Sequence, residues 1–116
     1  MVELTFQMIA DINPTKFPSP IIKMHYDVLR ELLSCIALLD GYKTQGEGAH
    51  KELIDYLAQH YTQFSEQEIT LIDELRIIRN KISYDGFFVN PSYIERTKVP
   101  TIKLIEKLQR LINTKL

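Results

Sequence analysis

The sequence predicts an all-α protein, an antiparallel bundle of four or five helices that forms one domain over residues 1–116. Apolar residues recur at spacings of three and four through most of the chain, and no segment alternates between apolar and polar residues as a half-buried strand does. With 45% hydrophobic and 25% charged residues, the composition is that of a globular domain with one core.

The N-terminal part predicts a short helix followed by a long one. Residues 2–12 are a mixed segment that favours a brief helix, and the three prolines of NPTKFPSP end it. Ser19 and Pro20 then provide an N-cap and a proline in the first turn. The long helix is expected over residues 20–40, with Gly41 as its C-terminal glycine.

The middle of the chain predicts a loop and two further helices. The stretch YKTQGEGA is the loop, and a short helix over about residues 49–60 follows it. Its inward-facing residues are expected to be Leu53, Ile54, Leu57 and Tyr61. Ser65 and Glu68 form a Ser-x-x-Glu capping box for the next helix, which continues to residue 84 or 85, before Gly86.

The last helix is expected to start at Asn90 and Pro91 and to run close to the C-terminus. Pro100 should kink or divide it, because proline removes a helical hydrogen bond. A narrow apolar stripe follows, made of Ile102, Ile105, Leu108, Leu111 and Ile112. Residues 96–116 carry a net charge of about +5, and the rest of the chain about −6.

Several classes of protein are disfavoured by composition. The formal net charge of −1 argues against binding nucleic acid by overall charge, and no apolar segment is long enough to span a membrane. Cys35 is the single cysteine, which excludes an internal disulfide and a cysteine-based zinc site. No metal or cofactor is expected, and in the absence of a recognisable signal peptide the expected location is the cytoplasm.

Polar residues form a line along the fourth predicted helix, the one that the Ser65–Glu68 capping box opens. Arg76, Arg79, Asn80 and Ser83 follow one another at helical spacings beside an apolar stripe, and Tyr84 adjoins Asn80 one turn further on. A guanidinium at the edge of an apolar face must find a partner. The partner is either a carboxylate, or a phosphate bound in a polar pocket against a neighbouring subunit.

Spacing leaves those two alternatives open. The structural one pairs Arg79 with Asp73, with Asp85, or with a carboxylate on another helix. Asp85 stands at the helix C-terminus, where a carboxylate is unfavourable for the helix dipole, so a cationic partner such as Arg76 or Arg79 is expected there.

The segment ELRIIRNKISYDGFFV resembles the motif helix of HEPN domains, small all-α modules of prokaryotic toxin–antitoxin and defence systems. The preceding YDVLRELLSCIALLDGYKTQGEGAHKELIDYL resembles the helical hairpin before that motif, particularly in archaeal members. Together the two segments cover roughly residues 26–89, and their order and spacing make the resemblance more specific than an Arg-Asn pair alone.

The resemblance implies a homodimer in which two motifs meet in one cleft, and a cleavage of RNA that needs no metal. RNA-cutting members carry arginine, a polar residue, three variable residues and histidine. Arg79 and Asn80 occupy the first two positions, but Tyr84 occupies that of the histidine. Tyrosine, with a pKa near 10, is a poor base at neutral pH, whereas imidazole serves well. Arg79 and Tyr84 are therefore the candidate catalytic residues of a motif that has lost its histidine.

Three histidines elsewhere offer substitutes for the missing one. They are His25 near the start of the long helix, His50 at the head of the short helix, and His60 at its end. Packing, capping or surface exposure is the commoner role for each. No two of them show the i, i+4 spacing of a helical metal site.

Three functions remain open from the sequence. The first is a non-catalytic homodimer that binds RNA, a nucleotide or a protein through Arg76, Arg79, Asn80, Ser83 and Tyr84. The second is a toxin-type, metal-independent ribonuclease that uses Arg79 with Tyr84 or a distant histidine. The third is a helical adaptor or antitoxin-like protein that docks through its last helix. The resemblance also implies a possible nucleotidyltransferase-like partner.

Overall fold

The computed structural model describes residues 18–44, 46, 48–85 and 89–116, without the side chains of residues 18, 19 and 83–85. These residues form four helices and no strand, which confirms the predicted all-α bundle; the helices are α1 (Pro18–Leu39), α2 (Ala49–His60), α3 (Glu66–Asp85) and α4 (Pro91–Lys115). The helix expected over residues 2–12 lies outside the described residues. No described helix is both long enough and apolar enough to cross a membrane.

Helix α1 lies at the centre of the bundle and contacts each of the other three helices. Apolar residues lie on nearly all sides of α1, so almost every turn of the helix contributes side chains to the core. The residues of α1 that are least exposed are Ile22, Tyr26, Val28, Leu29 and Ile36. Helices α3 and α4 make few contacts with each other, so α1 provides most of the core that holds them together.

The end of α1 is fixed by Gly41, as the sequence predicts. Gly41 has φ of +77°, the left-handed conformation that glycine adopts without steric cost. Its N–H donates to the Leu38 carbonyl at 3.1 Å, and the Tyr42 N–H donates to the Ala37 carbonyl at 2.8 Å. These two bonds form a Schellman motif, so the chain turns sharply towards the loop before α2.

Two predicted helix caps are confirmed, and the predicted start of the long helix is wrong. The Ser65 N–H donates to Glu68 Oε1 at 2.8 Å, and the Glu68 N–H donates to Ser65 Oγ at 3.1 Å, which completes the capping box. Asn90 accepts a hydrogen bond from the Ser92 N–H at 3.0 Å. Helix α1, however, begins at Pro18, so Ser19 lies inside it. Helix α4 continues through Pro100 without division.

The C-terminal end of α4 is attached to the end of α1 through Asp40. Lys115 Nζ donates to Asp40 Oδ1 at 2.6 Å. The hydroxyls of Tyr56 and Tyr61 donate to Asp40 Oδ2, the former at 2.8 Å. The hydrogen bonds from Lys115 and Tyr61 lower the pKa of Asp40 to about 2, since both favour the ionised carboxylate. This contact holds the last turn of α4 against the bundle.

His25 lies in the core and faces α4. The residue is 1% exposed, and neither ring nitrogen makes a hydrogen bond within the described part of the chain. Burial, with a smaller contribution from the positive charge of Lys98, lowers the pKa of His25 to about 4. His25 is therefore a neutral core residue at neutral pH.

The free energy of unfolding should decrease as the pH falls from 6.5 to 4, because of His25. Its pKa is lower in the folded chain than in the unfolded one, so the contribution is complete above about pH 6.5 and disappears as the pH falls towards 4. The shift corresponds to about 3 kcal/mol of unfolding free energy. Urea unfolding of the wild type and of His25→Leu at pH 7 and at pH 4.5 measures this contribution.

The variant should lose most of that pH dependence, because leucine places no titrating nitrogen in the core. Lys98→Gln should reduce the dependence by a smaller amount, since burial is the larger cause of the shift. Equal pH dependence in the wild type and in His25→Leu would contradict the assignment.

Candidate functional site

Basic and polar side chains of α2 and α3 line one small cavity. The cavity has a volume of about 200 Å³ and is lined by Gly46, Gly48, Ala49, His50, Lys51, Arg76 and Asn80. Arg30 of α1 and Arg79 of α3 lie close enough to His50 for their charges to affect its titration. We call the group Arg30, His50, Arg76, Arg79 and Asn80, with the cavity between them, the arginine pocket.

Helical spacing explains how each element contributes. Arg76, Arg79 and Asn80 stand three and four residues apart, so they share one side of α3. The start of α2 is set by Gly48, whose φ of +81° turns the chain into the helix. That turn puts His50, in the first turn of α2, on the cavity beside α3.

The two arginines of α3 are paired with different carboxylates. Arg76 Nε donates to Asp73 Oδ1 at 2.9 Å, one turn earlier on the same helix. Arg79 Nε lies 3.4 Å from Asp27 Oδ1 of α1, which is close enough for an ion pair but is not aligned for a hydrogen bond. Among the described side chains, the carboxylate beside Arg79 is thus on another helix, the third of the partners considered from the sequence.

The environment of His50 favours the neutral imidazole. Partial burial is the largest cause of its lowered pKa, and the positive charges of Arg30, Arg79 and Arg76 lower the pKa further. Asp27 acts in the opposite direction, but its effect is the smallest of these. A neutral imidazole offers one nitrogen as an acceptor and one as a donor.

Tyr26 lies behind the arginine pocket on α1. It is 1% exposed, its ring centroid is 6.3 Å from that of His50, and its hydroxyl has no hydrogen-bond partner among the described residues. Burial raises the pKa of Tyr26 to about 12, although Arg76, Arg30 and Arg79 all act to lower it. The hydroxyl therefore remains protonated as a donor at neutral pH.

Charge and donor geometry make the arginine pocket suitable for an anion. Arg76 and Arg79 each lie beside one carboxylate, Asp73 and Asp27, and Arg30 adds a third guanidinium whose charge acts on His50. A guanidinium presents planar pairs of N–H donors that match the oxygens of phosphate. Each of the two arginines on α3 keeps about a fifth of its side chain exposed, which leaves part of it open to a ligand.

A larger open groove between α3 and α4, of about 900 Å³, has the opposite character. Glu66 and Glu74 face Arg96 across it. The Tyr93 hydroxyl donates to Glu74 Oε1 at 2.5 Å, and the Arg96 guanidinium lies 5.1 Å from the Tyr93 ring centroid. These contacts engage Glu74 and Arg96 with Tyr93, and two carboxylates beside one guanidinium do not favour a phosphate.

The structure brings together some of the predicted site residues. Arg76 and Asn80 line the cavity, and Arg79 is beside it. Ser83 and Tyr84 belong to the last turns of α3, but their side chains lie outside the described residues, as does that of Asp85.

Of the three histidines considered from the sequence, His50 is the one at the arginine pocket. His25 faces Lys98 of α4 instead. His60 contacts the Tyr56 ring edge-on, with 4.3 Å between the ring centroids.

The contribution of α1 to the surroundings of the arginine pocket was not predicted from the sequence. Tyr26, Asp27 and Arg30 are close together in α1, with Tyr26 and Arg30 four residues apart. That spacing is visible in the sequence and indicates a polar face. Which helix the face meets depends on the packing of α1 against α3, which the sequence does not specify.

No protein-family model matches this sequence, and comparisons with curated proteins and with solved structures also found no match. Across the described part of the chain, no group of three or more histidine, cysteine or carboxylate side chains is placed to hold a metal ion.

The NMR titration of His50 tests the arrangement directly. Its pKa should lie below the ordinary value of about 6.5. Arg30→Gln should raise that pKa because a nearby positive charge is removed, and Asp27→Asn should lower it further because a negative charge is removed. Opposite shifts in the two variants would confirm that both side chains face His50, and the absence of any shift in both would contradict it.

Proposed function

We propose that this chain is a HEPN-like domain that acts as a homodimer and binds RNA or a nucleotide without cleaving it, with the arginine pocket as its phosphate site. The observation that carries the proposal is that His50, Arg76 and Asn80 line one cavity, with Arg30 and Arg79 close enough for their charges to lower the pKa of His50. Guanidinium groups beside a polar cavity are the chemistry that recognises phosphate.

The roles of the motif residues follow from their positions. Arg76 and Arg79 supply the donor pairs for phosphate oxygens, and Asn80 supplies amide donors from the cavity wall. Ser83 and Tyr84 extend the same side of α3 by helical spacing and belong to the proposed ligand surface. Tyr84 stands where the resemblance expects a histidine, which supports binding over cleavage.

The proposed homodimer places two arginine pockets on one surface, as the resemblance implies. A nucleotidyltransferase-like protein remains the partner class suggested by that resemblance. The adaptor alternative has less support, because most of the apolar stripe that it requires is inside the core: Ile105 and Leu108 are fully buried and Ile112 is 9% exposed.

RNA binding should depend on Arg79 and on salt. We expect a single-stranded RNA labelled with fluorescein to bind in EDTA, and Arg79→Ala to weaken binding at least tenfold. A hydrogen bond to a charged group contributes roughly 1.5–3 kcal/mol, and about 1.4 kcal/mol corresponds to a factor of ten. Fluorescence anisotropy over a series of salt concentrations measures both effects, since phosphate contacts weaken as salt increases.

Arg110→Ala is the matched control, because it removes one positive charge from an exposed position on α4. It should change the affinity less than twofold. Arg79→Lys retains the charge without the planar fork and should give an intermediate affinity. Equal binding by the wild type and a folded Arg79→Ala protein would contradict the proposal.

A metal-independent ribonuclease is the second candidate, because His50 shares a cavity with Arg76 and Asn80. A lowered pKa keeps this imidazole neutral and able to accept a proton at neutral pH. In this reaction His50 takes the proton of a 2′-hydroxyl, whose oxygen attacks the phosphorus. The bond to the 5′ oxygen breaks, that oxygen takes a proton from water, and a 2′,3′-cyclic phosphate is released.

The cleavage assay separates the two candidates. Purified protein is incubated with RNA in EDTA, beside Arg79→Ala, His50→Gln and Tyr84→Phe. The binding proposal predicts no product from any of the four proteins. Product that disappears in Arg79→Ala and His50→Gln, but persists in Tyr84→Phe, would instead establish the ribonuclease and identify His50 as its base.

A further inference from the structure

The groove between α3 and α4 lies on the opposite side of α3 from the arginine pocket; we call it the α3–α4 groove. Glu66, Thr70 and Glu74 line it from α3, at spacings of four residues. Two residues along a helix correspond to a rotation of about 200°, so Arg76 of the arginine pocket is on nearly the opposite side of α3 from Glu74. The groove is therefore a surface separate from the proposed phosphate site.

The dimensions of the α3–α4 groove suit a helix. Its lining residues on α3 extend from Glu66 to Glu74, a rise of about 12 Å, which matches about two turns of a docked helix. Helices α3 and α4 both pack on α1 but make few contacts with each other, so the groove lies between two helices. An amphipathic helix binds to a surface of this kind by placing its apolar face in the groove.

Apolar side chains line the α3–α4 groove and adjoin it. Leu71 and Pro100 are lining residues. Ile77 comes seven residues after Thr70, on the same side of α3, and is 41% exposed. Val99, next to Pro100, is 56% exposed. Exposed apolar side chains along a groove with a polar rim are typical of a surface that binds another protein.

The charge of the α3–α4 groove is negative. Glu66 and Glu74 line it together with a single guanidinium, that of Arg96. Among the described side chains, neither carboxylate belongs to an ion pair. Glu74 accepts a hydrogen bond from the Tyr93 hydroxyl, but that group is neutral and leaves the charge of the carboxylate in place. The groove therefore favours a cation.

Pro100 adds a backbone acceptor to the same surface. Proline has no N–H, so the carbonyl of Arg96, four residues earlier, lacks its usual helical donor. Both residues line the groove. A carbonyl without a donor favours a ligand that brings one. The lysine ammonium and the arginine guanidinium supply hydrogen-bond donors and positive charge together.

We propose that the α3–α4 groove binds an amphipathic helix of a partner protein, with lysine or arginine residues two turns apart and apolar residues between them. The cations bind at Glu66 and Glu74, and the apolar residues pack against Leu71 and Pro100. The proposal does not depend on the phosphate-binding function.

Charge complementarity favours a basic partner helix over other occupants. The phosphates of RNA would be repelled by the carboxylates of the groove. A second copy of this chain that met the first groove to groove would bring Glu66 and Glu74 of both copies together, because a two-fold interface pairs one surface with itself.

Fluorescence anisotropy with two designed peptides tests the proposal on the full chain. The first is a fluorescein-labelled, eighteen-residue helix of alanine and glutamine with two lysines seven positions apart and two leucines between them. The second has glutamate in place of both lysines. We expect the lysine peptide to bind at least tenfold more tightly than the glutamate peptide, and to bind more weakly as the salt concentration increases.

Variants of the chain locate the binding surface. Glu66→Gln/Glu74→Gln keeps the size of both side chains and should weaken binding of the lysine peptide about fivefold, since each exposed ion pair makes a modest contribution. Pro100→Ala gives the Arg96 carbonyl a helical donor and should weaken binding about threefold. Glu106→Gln is the matched control: it removes one negative charge from an exposed position of α4 outside the groove and should change the affinity less than twofold.

Three outcomes would overturn the proposal. The first is a lysine peptide that does not bind, or that binds no better than the glutamate peptide. The second is binding that Glu66→Gln/Glu74→Gln leaves unchanged. The third concerns a second copy as the occupant: multi-angle light scattering should give the same oligomeric state for the wild type and for Val99→Asp, and a change from dimer to monomer would show that the groove is an interface between copies.

Discussion

A guanidinium packed between two helices requires a carboxylate beside it, and this requirement joins α3 to α1 at Arg79 and Asp27. Removing a charge from water costs several kcal/mol unless a partner offsets that cost. Arg79 keeps only 22% of its side chain exposed, and Asp27 keeps 39%. The pair therefore stabilises one arrangement of the two helices, in which the polar faces of both meet.

The same pair leaves room for a ligand. Its Nε and Oδ1 atoms are 3.4 Å apart and are not aligned for a hydrogen bond, so the donor capacity of Arg79 is incompletely used. Arg76, by contrast, makes an aligned bond with Asp73 at 2.9 Å. A phosphate beside Arg79 would add a second acceptor and offset the remaining cost of burial. A fold-stabilising contact and a binding site can thus share one side chain.

The position of α1 at the centre of the bundle explains why its polar residues do not weaken the core. Most of α1 is buried in apolar contacts, and Tyr26, Asp27 and Arg30 lie on the side nearer to His50. His25 is adjacent in sequence but faces α4, where it is neutral. Adjacent residues on a helix are about 100° apart, so one helix serves two different environments.

The sequence by itself determined the helices and most of their ends, because these depend on local chemistry. The capping box of Ser65 and Glu68, the Asn90 cap and the left-handed Gly41 each act over a few residues, and each was predictable. It also placed Arg76, Arg79 and Asn80 on one side of α3, since helical spacing alone requires this. The predicted start of α1 at Ser19 and Pro20 was wrong, because the helix begins earlier, at Pro18. Of the two outcomes expected at Pro100, a kink or a division, α4 shows no division.

Only the tertiary structure decided which side chains lie beside Arg76, Arg79 and Asn80. His50 is 26 residues from Arg76 in the chain, and Asp27 is more than 50 from Arg79, so no local spacing relates them. Their meeting depends on how α1, α2 and α3 pack and on the direction in which Gly48 turns the chain. Helix ends result from interactions within a few residues, whereas a site between helices results from the free energy of packing the whole core.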